Sequence, residues 1–369
     1  MTRSFRYSAL PMRVVFGAGA LLGLPAEVEA LGLSRVLVLC SPEQEKVGRQ
    51  VAAALGERAA GVLAEARMHV PVEVATRARD LARELGADGC VAVGGGSAIG
   101  LGKAIALEHG LPVVAVPTTY AGSEMTTIWG LTESGEKRTG RDERVLPRSV
   151  LYDPELTTSL PTRLSVTSGI NAIAHAVEGL YAPDASPIVS LMAEEGARAL
   201  AAALPAIVAD GTDLEARAQA QYGAWLCGAV LGATTMSLHH KLCHTLGGTL
   251  DLPHAETHTV VLPYALAYNQ PAAPQAVAAL SRALGDVPDP ARALWELAGR
   301  LGAPRSLREL GMAVDDISRV VEIALASPYA NPRPLSREGI DRLLRAAWRG
   351  DPPGAVGGTS RVLPGTSAG

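Results

Sequence analysis

An α/β domain on a parallel sheet, followed by an all-α domain, is the architecture this sequence predicts. Three observations point to it. Short β-rich runs alternate with amphipathic helical stretches over roughly the first 150 residues. Beyond Pro154 strand-like runs stop and long Ala/Leu-rich stretches take over. The 369 residues exceed what one core ordinarily organises, and 48% of them are hydrophobic, so two cores can be filled.

The elements follow in order. "MRVVFGAG" reads as a strand entering a turn. Arg3, Arg6 and Arg13 ahead of "VVFGAGALLGLPA" imitate a secretion signal, but Gly17, Gly19, Gly23 and Pro25 break the apolar run. A cytoplasmic location is therefore expected. "RVLVLC" (35–40) is a buried strand, and "PEQEKVGRQVAAALG" places Val47, Val51 and Leu55 at helical spacing. "PVEVATRARDLARELG" is amphipathic and stops at Gly86, a C-cap residue. "GCVAVGGG" is a strand entering a glycine turn, "LPVVAVPTTYAGSE" a strand stopped at Pro117, and "SVLYDP" the last of the series. Helices are then expected in "LPTRLSVTSGINAIAHAVEGLYA", "SLMAEEGARALAAALPAIVAD", "DLEARAQAQYGAWLCGAVLGA" and "PARALWELAGRLGA". These readings give a dinucleotide-binding domain over 1–157, a helical domain over 158–352, and a Gly/Pro/Ser-rich flexible tail over 353–369.

Composition excludes several functions. Net charge is −4 with both signs interspersed, so there is no basic face or tail for nucleic acid. No stretch reaches the ~20 unbroken apolar residues of a membrane span. Cys40, Cys90, Cys227 and Cys243 have no CxxC spacing and read as reduced thiols.

Gly94, Gly95, Gly96 and Ser97 lie between a buried strand and a helix. Small residues there let backbone N–H groups approach a diphosphate, and the helix N-terminus adds its positive dipole end. "FGAGALLG" nearly spells the dinucleotide fingerprint but has the wrong last spacing, and reads as structural. Where an acid would grip a ribose hydroxyl, Cys40 and Ser41 stand instead, so NADH and NADPH are both expected to bind. Thr118, Thr119 and Ser123 follow a strand end, where hydroxyls can reach ribose, phosphate or nicotinamide.

Five of the eight histidines lie between 239 and 258. Asn171 and His175 are four apart on one helix face, as are His240 and His244 on another; His254 follows a break at "DLP". With a carboxylate at 171 this would be a divalent-metal set. Asn171 supplies only a carbonyl dipole, so the charge of a +2 ion would go unmatched. Electrostatic terms of several kcal/mol are at stake in such a cleft, and ~1.4 kcal/mol is tenfold in affinity. Imidazoles can still hold Zn²⁺ or Fe²⁺ weakly and adventitiously.

"GGGSAIGLGKAIAL", "PTTYAGSEMT", "SVTSGINAIAHAVEGLYA" and "HHKLCHTLGGTLDLPHAETHTVVLP" resemble the iron-containing alcohol dehydrogenase superfamily, and within it the maleylacetate reductases. The resemblance implies a Rossmann-like first domain, a helical-bundle second domain as in dehydroquinate synthase, a cleft between them, and a homodimer. It places the superfamily's metal ligands on Asn171, His175, His240 and His254, and a further active-site histidine on His244. Asn171 stands where Asp is usual, and Gly100 where metal-dependent members carry Asp. Both departures match the maleylacetate reductases, which are similar in needing no metal. The implied reaction is NAD(P)H-dependent reduction of the carbon–carbon double bond of a small dicarboxylate, maleylacetate, to 3-oxoadipate. For that reaction a histidine or Lys241 is expected to stabilise the enolate, with His244 or His254 as proton donor. Lys137, Arg138 and Arg333 are further candidates for the substrate carboxylates. A metal-dependent alcohol or polyol dehydrogenase is the principal alternative. A carbon–oxygen lyase and a non-catalytic nucleotide binder are others.

Overall fold

The computed structural model describes residues 5, 7, 9, 10, 12–133 and 136–354. Most of the expected tail, 355–369, lies outside them. In the first half the chain runs β1 (Arg13–Phe16), α1 (Leu24–Ala30), β2 (Val36–Leu39), α2 (Glu45–Leu55), β3 (Ala59–Leu63), α3 (Val72–Glu84), β4 (Gly89–Gly94), α4 (Gly96–His109) and β5 (Val113–Pro117). A hairpin of β6 (Ile128–Glu133) and β7 (Glu136–Arg141) follows, then β8 (Ser149–Tyr152). The remainder is helical: α5 (Thr162–Leu180), α6 (Pro187–Ala209), α7 (Leu214–Ala233), α8 (Leu238–Leu250), α9 (His254–Asn269), α10 (Pro274–Ala283), α11 (Pro290–Arg300), α12 (Asp316–Leu325) and α13 (Arg337–Arg349).

Six strands form one parallel sheet in the order β3-β2-β4-β5-β8-β1. β2, β4, β5 and β8 are buried along their whole length, which is why they read as unbroken apolar runs. Successive residues serve opposite faces. Val36, Val38, Val91, Val93, Val114 and Val116 enter one core, and Leu37, Leu39, Cys90, Ala92 and Ala115 the other. From β2 the chain steps to β3 on one side and later to β4 on the other. That reversal opens a crevice above the carboxyl ends of β2 and β4, where ligands of such sheets bind.

Two elements had no sequence signal. β3, "AAGVL", is mostly half-exposed, and the β6–β7 hairpin carries the polar run "EKRTGR". The helical half packs around α5, whose residues 165–179 are almost all buried. No described helix is long and apolar enough to cross a membrane. All four cysteines are buried and free.

Candidate active site

The glycine turn sits at the crevice. Gly94 has φ +145°, a backbone state that side chains disfavour, and a Cβ there would lie 2.6 Å from Gln44 Oε1. A Cβ on Gly95 would lie 2.9 Å from Thr119 Cγ2, whereas one on Gly96 would meet nothing within 4 Å. The turn is thus gripped on two sides and open at the N-terminus of α4. No acidic residue lies in that first turn. The Gly96, Ser97 and Ala98 amides are the ones an α-helix leaves without intrahelical partners, so they suit a diphosphate. Ser41 closes β2 across the crevice, half-buried. Thr118 braces the turn. It is buried, its Oγ1 accepts from Gln44 Nε2 at 2.7 Å, and its amide donates to Gly94 O. It holds the turn in shape, leaving Thr119, Ser97 and Ser41 as the hydroxyls nearer solvent.

Gly100 has a local explanation. A Cβ at that position would lie 2.7 Å from Val70 Cγ2, so the aspartate usual there would collide. Val70 is itself held at φ +46°.

α5, α8 and α9 bring the histidines together. His175 and His240 have ring centroids 5.2 Å apart, His240 and His258 4.9 Å, and His254 and His258 4.3 Å. His244 lies 6.1 Å from His240 and 6.5 Å from His254. Burial grades the set: Asn171, His175, His239, His240 and His258 are buried, His254 is half-buried, and His244 is exposed. His244 and His254 therefore form the solvent-facing side. Gly122 backs His175, since a Cβ there would be 3.5 Å from His175 Nδ1.

The residue that organises this cluster is Glu178, fully buried one turn beyond His175. Its carboxylate accepts from the amides of Ser237 (2.9 Å), His239 (2.8 Å) and His240 (3.3 Å), and from His240 Nδ1 at 2.8 Å. It caps the N-terminus of α8 with an acid, where the helix dipole favours one. Burial raises its pKa, while the surrounding N–H groups pull the other way. The three amides can only donate, and His240 Nδ1 joins them in the tautomer that carries its hydrogen there. With Nδ1–H committed to Glu178, neutral His240 turns an acceptor nitrogen, Nε2, toward the cluster, and that atom has no partner. Burial lowers His240 to about 3 and His239 to about 4, and holds His175 and His258 well below the usual histidine range. Neighbouring histidines add to each depression. The buried histidines are neutral at pH 7.

Sequence reasoning missed Glu178, His239 and His258 as members of the site. The signals were present: Glu178 follows His175 at i+3, and His258 follows His254 at i+4, each pair on one helix face.

Asn171 Oδ1, His175 Nδ1 and His240 Nε2 are all buried without partners, and atoms of these kinds can ligate a divalent ion. The set carries no net charge, and Glu178 has both oxygens engaged by N–H donors. His239, His240 and His258 also approach closely enough to share an ion. His239, however, donates Nε2–H to His258 O at 3.0 Å, which leaves only its Nδ1, 3.4 Å from His240 Nδ1, with a lone pair. These residues fit a tight divalent site poorly.

The other cations separate clearly. Lys241 is half-buried with Nζ 5.9 Å from the centre of the Tyr329 ring. Arg138 is exposed on the hairpin and paired with Glu133 at 3.3 Å. Arg333 stacks on Tyr268 at 4.5 Å and donates to its carbonyl. The side chain of Lys137 lies outside the described residues. Of these, Lys241 alone lies on the helix that carries His240 and His244.

Residues 11–154 match the family described as iron-containing alcohol dehydrogenase, and residues 165–348 match the C-terminal part of the Fe-containing alcohol dehydrogenase family. A maleylacetate reductase of Pseudomonas sp. (strain P51) is 58% identical over 350 residues, 95% of this chain and 99% of that one. The crystal structure of maleylacetate reductase from Agrobacterium tumefaciens superposes with a TM-score of 0.92 at 51% identity, covering 95% of this chain and all of that one. A sulfoacetaldehyde reductase from Bifidobacterium kashiwanohense, solved with NAD+, superposes with a TM-score of 0.85 at 25% identity, covering 94% and 99% of the two chains. The chain belongs to the iron-containing alcohol dehydrogenase family, alongside the maleylacetate reductases within it.

Proposed function

We propose that this chain reduces the carbon–carbon double bond of maleylacetate to give 3-oxoadipate, with NADH or NADPH and without a required metal. The observation that carries the reading is the neutral donor set around Asn171, whose neighbouring carboxylate is spent on N–H groups. The identity to maleylacetate reductases agrees with it. A pocket with no free acid does not repel a doubly negative substrate, and Lys241 at its edge attracts one.

The reduced nicotinamide, when bound, supplies a hydride. The chain's own residues do the rest. The glycine turn and Ser97, with Ser41 and Thr119 beside them, hold the cofactor at the crevice. Because the double bond is conjugated to a ketone, addition places negative charge on the ketone oxygen. Lys241 and the histidine N–H groups stabilise that charge, a task that falls to a metal when the substrate is a simple ketone. A proton is then required at the adjacent carbon. His244 and His254, on the solvent side, can reload from water, so one of the two is the donor. Neutral His240 offers a lone pair and positions rather than protonates.

We place the protein in the cytoplasm as a homodimer. Among the described residues β1 is the sheet's edge strand, with Phe16 exposed, an edge that suits pairing with a second copy. The direct test is NADH oxidation on adding maleylacetate, with 3-oxoadipate identified as product. Consumption only with simple alcohols or aldehydes, and only after Zn²⁺ or Fe²⁺ is supplied, would support the metal-dependent alternative instead.

A further inference from the structure

We propose that Lys103 is a tethered monovalent cation: its ammonium fills a four-oxygen cage that positions the segment walling His175, and deleting its side chain leaves a site for a small alkylammonium ion. Lys103 lies on α4, one helix turn and more beyond the glycine turn, and only 1% of it is exposed. Nζ lies 2.7 Å from Ser123 O, 2.8 Å from Thr126 O, 2.9 Å from Thr126 Oγ1 and 2.8 Å from Ile128 O. Neutral oxygens converging on one positive charge are how proteins hold small monovalent cations. A surface lysine would keep water on its ammonium; this one has exchanged its hydration shell for backbone.

The form present follows from the partners. Desolvation lowers Lys103 to about 7, while the buried Glu124, which acts at a distance, pulls the other way. Thr126 Oγ1 gives its own hydrogen to Ser123 O and so can only accept from the lysine. Four acceptors call for the three N–H bonds of an ammonium, and a neutral amine would supply two.

The cage matters because of what its walls touch. Residues 123–128 run from a short 3-10 turn (Ser123–Met125) into the start of β6, and continue from Thr118 and Thr119 at the glycine turn. Gly122, just ahead of them at φ +78°, backs the His175 ring and lies against Gly228 of α7. Glu124 receives a 2.8 Å hydrogen bond from Tyr152 OH at the end of β8. Lys103 therefore ties the cofactor helix to the backbone that sets His175. It is a positioning residue, since it touches neither the turn nor the histidines.

The test uses the full-length protein with three variants. In K103A, the melting temperature and turnover fall, turnover by about tenfold or more. Ethylammonium or propylammonium restores both with saturation, whereas choline or sodium chloride at equal ionic strength restores neither. K103M fills the volume without a donor, so it stays impaired and is not rescued. Should K103A fail to fold, Thr126→Val removes one acceptor and keeps the charge. Turnover then drops several-fold with KM for the substrate unchanged. K103M within twofold of the parent, K103A responding equally to choline, or T126V at full turnover would each overturn the proposal. The melt is read without substrate. A missing rescue there counts against the cage, and an absent reaction of the parent enzyme counts against the proposed substrate alone.

Discussion

Replacing Asn171 with Asp restores the one charge that the histidine cluster lacks, and its effect can be worked from the site. Asn171 is 3% exposed, its Oδ1 has no partner, and Asp is nearly isosteric, so little repacking is needed. A carboxylate about 4 Å from a unit charge is worth roughly 4 kcal/mol at an effective dielectric of 20, and about twice that for a divalent ion. Burying the carboxylate costs several kcal/mol, leaving a net gain on the order of 4 kcal/mol, about a thousandfold in Kd. Titration calorimetry of Zn²⁺ against both proteins measures this directly. N171D is expected to bind a single ion far more tightly than the parent and to melt higher with Zn²⁺ present. Its turnover of maleylacetate without metal should fall, because the new acid repels the dianion. Equal zinc affinity in the two proteins would refute the reasoning, since Asn171 would then not be what sets metal affinity.

Other expectations follow from the same geometry. E178Q replaces an acceptor of four N–H groups with a side chain offering one oxygen. It is expected to lose about 3 kcal/mol in urea unfolding, with reduced turnover as His240 loses its fixed tautomer. Acid should destabilise the protein: His239 and His240 stay neutral when folded down to about 4 and about 3, but bind protons near 6.5 when unfolded. The unfolded state then holds more protons, so stability falls as pH drops from 6.5, by roughly 2 kcal/mol per histidine at pH 5. A melting temperature flat between pH 7 and pH 5 would contradict this. Of H244A and H254A, the one that removes the proton donor lowers kcat while leaving NADH affinity within about twofold, as fluorescence titration would show.

The sheet was legible because β2, β4, β5 and β8 are buried on both faces and so announce themselves as apolar runs. β3 and the β6–β7 hairpin were not, since half-exposed small or charged residues carry no such pattern. The histidines were legible through i, i+4 spacing on predicted helices. The role of Glu178 was not, because its partners Ser237, His239 and His240 lie about sixty residues away and meet it only when α8 docks on α5. The same holds for Thr118, whose hydroxyl meets Gln44 from 74 residues away. Arg138 and Arg333 show the converse: basic residues are visible in any sequence, but their partners Glu133 and Tyr268 are settled by folding.

A pocket of neutral imidazoles and an amide is proposed to reduce a doubly negative substrate with no ion to help. Elemental analysis of the purified protein, combined with NADH-dependent turnover of maleylacetate before and after dialysis against EDTA, tests it most directly. Well under one ion per chain and turnover unchanged by the chelator are expected. A stoichiometric ion whose removal abolishes turnover and whose return restores it would show that the pocket works through a metal.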